Sequence, residues 1–160
     1  PGRVEEMPDS DWAWDPQTRK STTCVAERFG KHLIDMTVEY VKLRTQFGQP
    51  VGAYQAVQHQ IVDALVELEF AKPLVYRAAH SLDQGDAEAS IHASMAKVMA
   101  ADAAYKASRA ALQCHGAMGY SYEYDLHLWM KRVWALQRAW GDAPEHRARV
   151  ADHLNLPKGV

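Results

Sequence analysis

A chain of 160 residues, 48% hydrophobic and 24% charged, is long enough for one hydrophobic core and short for several. Its formal net charge of -2 supplies no long-range field for nucleic acid or for an anionic membrane surface, so neither is expected as a partner. Cys24 and Cys114 stand far apart and outside any Cys-x-x-Cys spacing, which gives no disulfide framework and no thiolate zinc site, and a reducing cytoplasm fits.

The opening segment, residues 1–15, is polar and acidic and reads as a linker. It has no basic-then-apolar leader, and no later run is apolar for long enough to span a bilayer. A first residue that is proline reads as a processed, trimmed or excised piece of a longer chain.

From residue 16 the pattern is helical. A first helix is expected over Pro16–Phe47, with Val25, Phe29, Leu33, Met36, Tyr40 and Leu43 forming one apolar stripe at three- and four-residue steps. Gly48-Gln49-Pro50-Val51-Gly52 stops it, because proline has no donor N–H and restricts the residue before it. A second helix follows over about Ala53–Leu82, with Val57, Ile61, Ala64, Leu65, Leu68 and Val75 on its apolar side and a kink expected at Pro73. Asp86 is the expected N-cap of a third helix, which runs to His115 and stops at Gly116. Its Ala93, Ala96, Ala100, Ala104, Ala107 and Ala111 make a ridge of small side chains that a neighbouring helix can approach closely.

The last helical stretch begins near Tyr122 and breaks at Gly141-Asp142-Ala143-Pro144, where Asp142 and Glu145 have capping-box spacing. Short connections force sequence neighbours together. The expected fold is therefore all-α, an antiparallel up-down four-helix bundle over residues 16–155 with its last helix broken and a short tail over 156–160.

Tested for chemistry, most polar residues return ordinary structural readings. The eight histidines raise a metal site, but a carboxylate-bridged bundle centre needs Glu-x-x-His pairs and none is present. Glu88/His92 and Glu123/His127 are four apart and read as intrahelical pairs on solvated faces. No nucleophile elbow occurs, and Cys114 and His115, adjacent at a helix end, point apart.

Two segments carry more. Tyr40-Val41-Lys42-Leu43-Arg44-Thr45-Gln46-Phe47-Gly48-Gln49-Pro50 is followed by Tyr54-Gln55-Ala56-Val57-Gln58, and Gln113-Cys114-His115-Gly116-Ala117-Met118-Gly119-Tyr120 by Tyr122-Glu123-Tyr124-Asp125-Leu126. The first resembles the Y-x-x-x-R-x-Q-F-G-x-P, F-Q-x-x-Q signature of the acyl-CoA dehydrogenase carboxyl-terminal domain, with Tyr54 for phenylalanine. The second is similar to that family's Q-x-x-G-G-x-G-[FY] segment, with Ala117 for the second glycine. Together the matches extend over about Ala26 to His153.

The resemblance implies an oxidoreductase that binds flavin adenine dinucleotide (FAD) and forms an α,β double bond in an acyl-CoA thioester. It implies that Arg44, Gln46, Phe47, Gln113 and Gly116 reach the flavin of an adjacent subunit. A planar guanidinium at Arg44 suits a pyrophosphate. Taken alone, the same arginine reads as a helix-end dipole partner or surface ion pair, Gln113 as a helix-end hydrogen bonder and Gly116 as a turn glycine.

The family's catalytic glutamate, aligned through Met130-Lys131-Arg132 and Gly141, falls on Trp140, and the alternative location of that base falls on Thr18. Neither side chain can take a carbon-bound proton, so no catalytic residue is assigned. Asp142 is already explained as an N-cap, and Glu27 and Glu39 as water- or helix-facing groups. These departures imply one member of a homo- or hetero-oligomer whose partner supplies the base, inactive by itself. An electron-transfer flavoprotein acceptor is implied for a true dehydrogenase. Two other readings stand beside it: a helical oligomerisation domain without enzymatic activity, and a flavin monooxygenase-type relative on the same fold.

Overall fold

The structure, a computed structural model, describes residues 16–157. The segment expected as a linker over 1–15, the end of the tail and the side chain of Thr18 lie outside the described residues. The elements are α1 (Pro16–Leu43), β1 (Thr45–Gln46), β2 (Gln49–Pro50), α2 (Gln55–Gln84), α3 (Ala89–His115), α4 (Leu126–Arg138) and α5 (Ala143–His153). Short 3-10 turns at Val51–Ala53 and Gly116–Tyr120 lead into α2 and out of α3.

The direction of each helix follows from its cross-helix contacts. As α2 advances from Gln60 through Glu67 to Ser81, the α3 partners retreat from Cys114 through Lys106 to His92, so the two run antiparallel. On α1, Gly30 meets Ala104 and Tyr40 meets His115, so α1 and α3 run parallel. The up-down bundle expected from short connections is therefore present, and its last helix is broken into α4 and α5.

The alanine ridge places α3 at the centre. Ala93, Ala96, Ala100, Ala104, Ala107 and Ala111 are all buried, and α3 contributes to both core clusters, one with α1 and α2, the other with α1 and α4. Small side chains let the helix axes approach closely, which multiplies dispersion contacts along the whole length. Gly30 carries this to its limit: a Cβ there would lie 2.8 Å from Leu68 Cδ2 and 3.1 Å from the Ala104 backbone Cα.

Several boundaries and faces differ from the sequence expectation. Helix α1 ends at Leu43, and its buried line is Ala26, Gly30, Leu33, Ile34, Thr37 and Val41. The stripe is thus rotated by about one residue: Leu43 is 81% exposed, and Val25, Phe29, Met36 and Tyr40 sit at its half-buried edge. Gly30 and Thr37 defeat a reading by hydrophobicity because one is buried for its size and the other satisfies itself, its Oγ1 donating to Leu33 O at 2.7 Å.

Helix α2 runs Gln55–Gln84, two residues past its expected end, with Pro73 inside it. Asp86 does not cap α3. The helix starts at Ala89, and Asp86 Oδ1 instead accepts from the Glu88 N–H at 3.0 Å, closing a turn after the left-handed Gly85 (φ 66°). Helix α4 begins at Leu126, so Glu123 lies in a turn and makes no intrahelical pair with His127, whose ring packs edge-on against Tyr122 at 5.1 Å.

His92 is not on a solvated face. It is buried, with Nδ1 2.7 Å from Ser81 Oγ and Nε2 3.6 Å from Glu88. Asp142 caps α5 as its spacing predicts, accepting from the Glu145 N–H at 3.1 Å. No helix among the described residues is long and apolar enough to cross a membrane.

Candidate functional site

At one end of the bundle the chain leaves α1 through a loop held on itself. Arg44 O accepts from the Val51 N–H at 2.7 Å, and Thr45 pairs with Pro50 and Gln46 with Gln49 as a two-residue antiparallel ladder. Phe47 and Gly48, with φ 52° and 82°, form its tip. Both tip residues are left-handed, the twist that suits a tight hairpin. A bulky side chain at positive φ is strained, and Phe47 is nonetheless 94% exposed.

The following Tyr-Gln-x-x-Gln run braces this loop. Tyr54 Oη donates to Gln46 O at 3.2 Å, and Gln58 Nε2 donates to Gly52 O at 2.9 Å. Gly52 lets the strap lie against α1, since a Cβ would come within 3.2 Å of Val41 O.

The braced loop faces the end of α3. Tyr40, Arg44, Gln46 and Val51 from one side and Gln113 through Met118 from the other line a cavity of about 250 Å³. Of the residues singled out in the sequence, Arg44, Gln46, Gln113 and Gly116 are brought together here, while Phe47 stands outside on the hairpin tip. Arg44 is exposed and, among the described residues, its guanidinium has no acidic partner, so the surface ion-pair reading lacks its counterion. Gly116 has φ 58°, and nothing lies within 4 Å of a Cβ built on it, which leaves open space beside its backbone.

The cavity wall includes residues that the site reading did not single out. His115 is 3% exposed; its Nδ1–H donates to Ala111 O at 2.8 Å, which fixes the tautomer, and its ring stacks on Tyr40 with centroids 4.2 Å apart. Burial lowers its pKa from the ordinary histidine value, so the ring is neutral and Arg44 is the cation of the cavity. Cys114 turns toward Gln60, with Sγ 3.6 Å from Oε1, and burial pushes its thiol up to about 11. It is a packed thiol, not a nucleophile, and the two neighbours do point apart as expected. Tyr40 was available as a signal: it lies one helical turn before Arg44, on the same face.

At the opposite end of α4, Ala139 is extended, and Trp140 and Gly141 are both left-handed, with φ 63° and 94°. The Trp140 carbonyl accepts from His146 Nε2–H at 3.0 Å. No group of three or more His, Cys, Asp or Glu side chains among the described residues is placed to hold a metal ion.

This arrangement has counterparts among known proteins. The model of the acyl-CoA dehydrogenase carboxyl-terminal domain matches residues 17–154. The chain belongs to the acyl-CoA dehydrogenase family and forms its carboxyl-terminal helical domain.

It is 35% identical over 110 residues to the acyl-CoA dehydrogenase IpdE2 of Mycobacterium tuberculosis, covering 68% of this chain and 33% of that protein. A glutaryl-coenzyme A dehydrogenase in complex with glutaryl-CoA superposes with a TM-score of 0.83 at 30% identity, over 89% of this chain and 36% of that one. A steroid ACAD named for two components, Tcur3481 and Tcur3483, superposes with a TM-score of 0.82 at 26% identity, over 86% and 38%. The chain thus spans about a third of the length of the relatives it matches.

Proposed function

We propose that this chain is the flavin-clamping helical part of an FAD-dependent acyl-CoA dehydrogenase assembly, acting on an acyl-CoA thioester and lacking a catalytic base of its own. The observation that carries the reading is the cavity where Arg44 and Gln46 meet Gln113 and Gly116, two chain segments far apart in sequence that converge on one cation without an acidic partner among the described residues and one open glycine backbone. A dinucleotide pyrophosphate needs a cation, hydrogen-bond donors and close backbone approach, and Arg44, the two glutamine amides and Gly116 are the groups of this cavity suited to them.

In this reading Arg44 would hold the pyrophosphate with its planar fork, the Gln46 and Gln113 amides would offer hydrogen bonds to the dinucleotide, and Gly116 would admit it against the backbone. Phe47, strained and exposed on its hairpin, would offer an apolar surface to the same cofactor. FAD bound there would supply the hydride acceptor. The proton must leave to a carboxylate, and Trp140 offers none at the position where the family resemblance puts it.

The base therefore comes from a partner subunit, and a hetero-oligomer is the proposed form. A two-component name among the structural relatives agrees with this. A reducing cytoplasm is the proposed location, in keeping with two cysteines far apart in the sequence and outside any Cys-x-x-Cys spacing. Polycyclic or steroid acyl groups are the proposed substrates, as in that same relative.

The test is co-purification with candidate partner subunits, with flavin absorbance and acyl-CoA turnover measured for wild type and Arg44→Ala. A yellow, active complex that loses flavin on Arg44→Ala supports the proposal. Turnover by this chain alone, or flavin retention unchanged in the variant, overturns it.

A further inference from the structure

The break between α4 and α5 is built unlike an ordinary helix-to-helix turn. Its two central residues, Trp140 and Gly141, are both left-handed. Glycine adopts that conformation at no steric cost, but a tryptophan there brings its Cβ against its own backbone. Strain of this kind persists only where the surroundings over-determine the conformation.

The surroundings here come from α5, anchored on α3. His146 is fully buried at 0% exposure and uses both ring nitrogens: Nε2–H donates to Trp140 O at 3.0 Å, and Nδ1 lies 3.2 Å from Ser94 Oγ on α3. Ser94 is itself fully buried, with its Oγ 3.0 Å from Ser90 O. Its single hydroxyl proton can go to His146 Nδ1 or to Ser90 O. In the first case a neutral His146 is satisfied, and in the second Nδ1–H donates to Ser94 Oγ. This clasp of hydrogen bonds can thus close with either assignment of the hydroxyl proton.

One turn further along α3, Lys97 donates to Leu136 O in the last turn of α4 at 2.5 Å. The segment is packed from below as well, since a Cβ on Gly141 would lie 2.8 Å from Glu145 Oε2 and 3.1 Å from His146 Nε2.

We infer that His146 is a positioning residue, anchored on Ser94, that pins the Trp140 carbonyl and so keeps Trp140 in a strained left-handed pose. The device fixes the direction in which the side chain at 140 leaves the backbone. It gives a purpose to an arrangement that glycine at 140 would achieve without strain: the pose is kept because a side chain is to be presented there. The importance of position 140 rests on the proposed function, but the clasp itself is read without flavin or substrate.

The experiment compares Trp140→Gly with Trp140→Ala by urea unfolding of the chain. Both lose the indole, so their ratio reports the backbone alone. With the pose enforced, the glycine variant should have a folding equilibrium constant about tenfold larger than the alanine variant. Repeated with His146→Ala, the ratio should fall to about one or below, because a relaxed backbone favours alanine.

Ser94→Ala, which leaves the His146 ring in place and frees its far end, should lower the ratio in the same direction and serves if His146→Ala does not fold. His146→Gln, which retains a donor amide, should restore part of the ratio. A ratio near one in the parent background, or an undiminished ratio in the His146→Ala or Ser94→Ala background, overturns the inference. Failure to bind flavin would overturn the proposed function and leave this result standing.

Discussion

Lys97 provides a test of how the bundle core balances burial against hydrogen bonding. Its side chain is 2% exposed on the central helix, its Nζ donates to Leu136 O at 2.5 Å, and burial alone lowers its pKa from 10.5 to about 8. Leu136 is in the last turn of α4, where carbonyls have no helical partner, so the lysine serves as a cap reaching in from α3. Below pH 8 both folded and unfolded chains hold the proton, and the burial cost is felt in full. Between pH 8 and 10.5 the unfolded chain holds a proton that the folded chain has released, so stability rises with pH in that window.

At about 1.4 kcal/mol for each tenfold change, a fall from 10.5 to about 8 corresponds to roughly 3 kcal/mol. Lys97→Met removes the titration and keeps the apolar stem, but leaves Leu136 O without its partner, which costs about 1–3 kcal/mol. The two effects nearly cancel at pH 7, where the variant should lie from equal to about 2 kcal/mol more stable than wild type. By pH 10.5 wild type should have overtaken it by about 1–3 kcal/mol, because only the loss of the cap remains. The assay is urea unfolding of both proteins at half-unit steps from pH 7 to 10.5, taking the difference so that other titrating groups cancel. A difference that stays constant across the window would refute the reasoning.

Other perturbations separate packing from site chemistry. Gly30→Ala should lower stability by about 1–3 kcal/mol in urea unfolding despite the better helix propensity of alanine, because the added methyl meets the Ala104 backbone. Ser81→Ala removes the partner of the buried His92 Nδ1 and should cost about 1–3 kcal/mol, read as a shift in the urea midpoint at constant m-value. Arg44→Ala should change stability by less than about 0.5 kcal/mol, since its exposed guanidinium has no acidic partner among the described residues, while flavin retention in the assembled complex falls at least tenfold. Gly116→Ala should lose both, about 1–3 kcal/mol of stability from its left-handed φ and the flavin through closure of the open space beside it.

The sequence revealed most where one kind of physics acted alone. The alanine ridge of α3 could be read because small residues at helical spacing have no use except close packing, and all six named alanines are buried. Asp142 and Glu145 could be read because capping is local: an N-cap needs only the backbone N–H three residues on. The same local rule failed at Asp86, which satisfied a different N–H two residues on, since Asx turns and N-caps draw on the same side-chain acceptor. The face of α1 was misread by about one residue because burial there is decided by shape. Gly30 and Thr37 belong to the buried line and Leu43 does not, and only the positions of α2 and α3 make that so.

The site divides along the same line. Arg44, Gln46, Gln113 and Gly116 were found by pattern, and their convergence on one cavity is a tertiary fact that no window of sequence contains. Phe47 belongs to the same pattern yet points into solvent at a cost in backbone strain, a positive φ that the half-buried Trp140 shares at the far end of α4. A monomer has no reason to hold an aromatic side chain strained and exposed on a hairpin tip. A surface brought by another subunit would supply one, by covering Phe47 and lending its cofactor to Arg44. On the proposed reading, a cation with no acidic partner among the described residues beside an exposed aromatic, and a tryptophan where the resemblance puts a carboxylate, would be two sides of one division of labour between subunits.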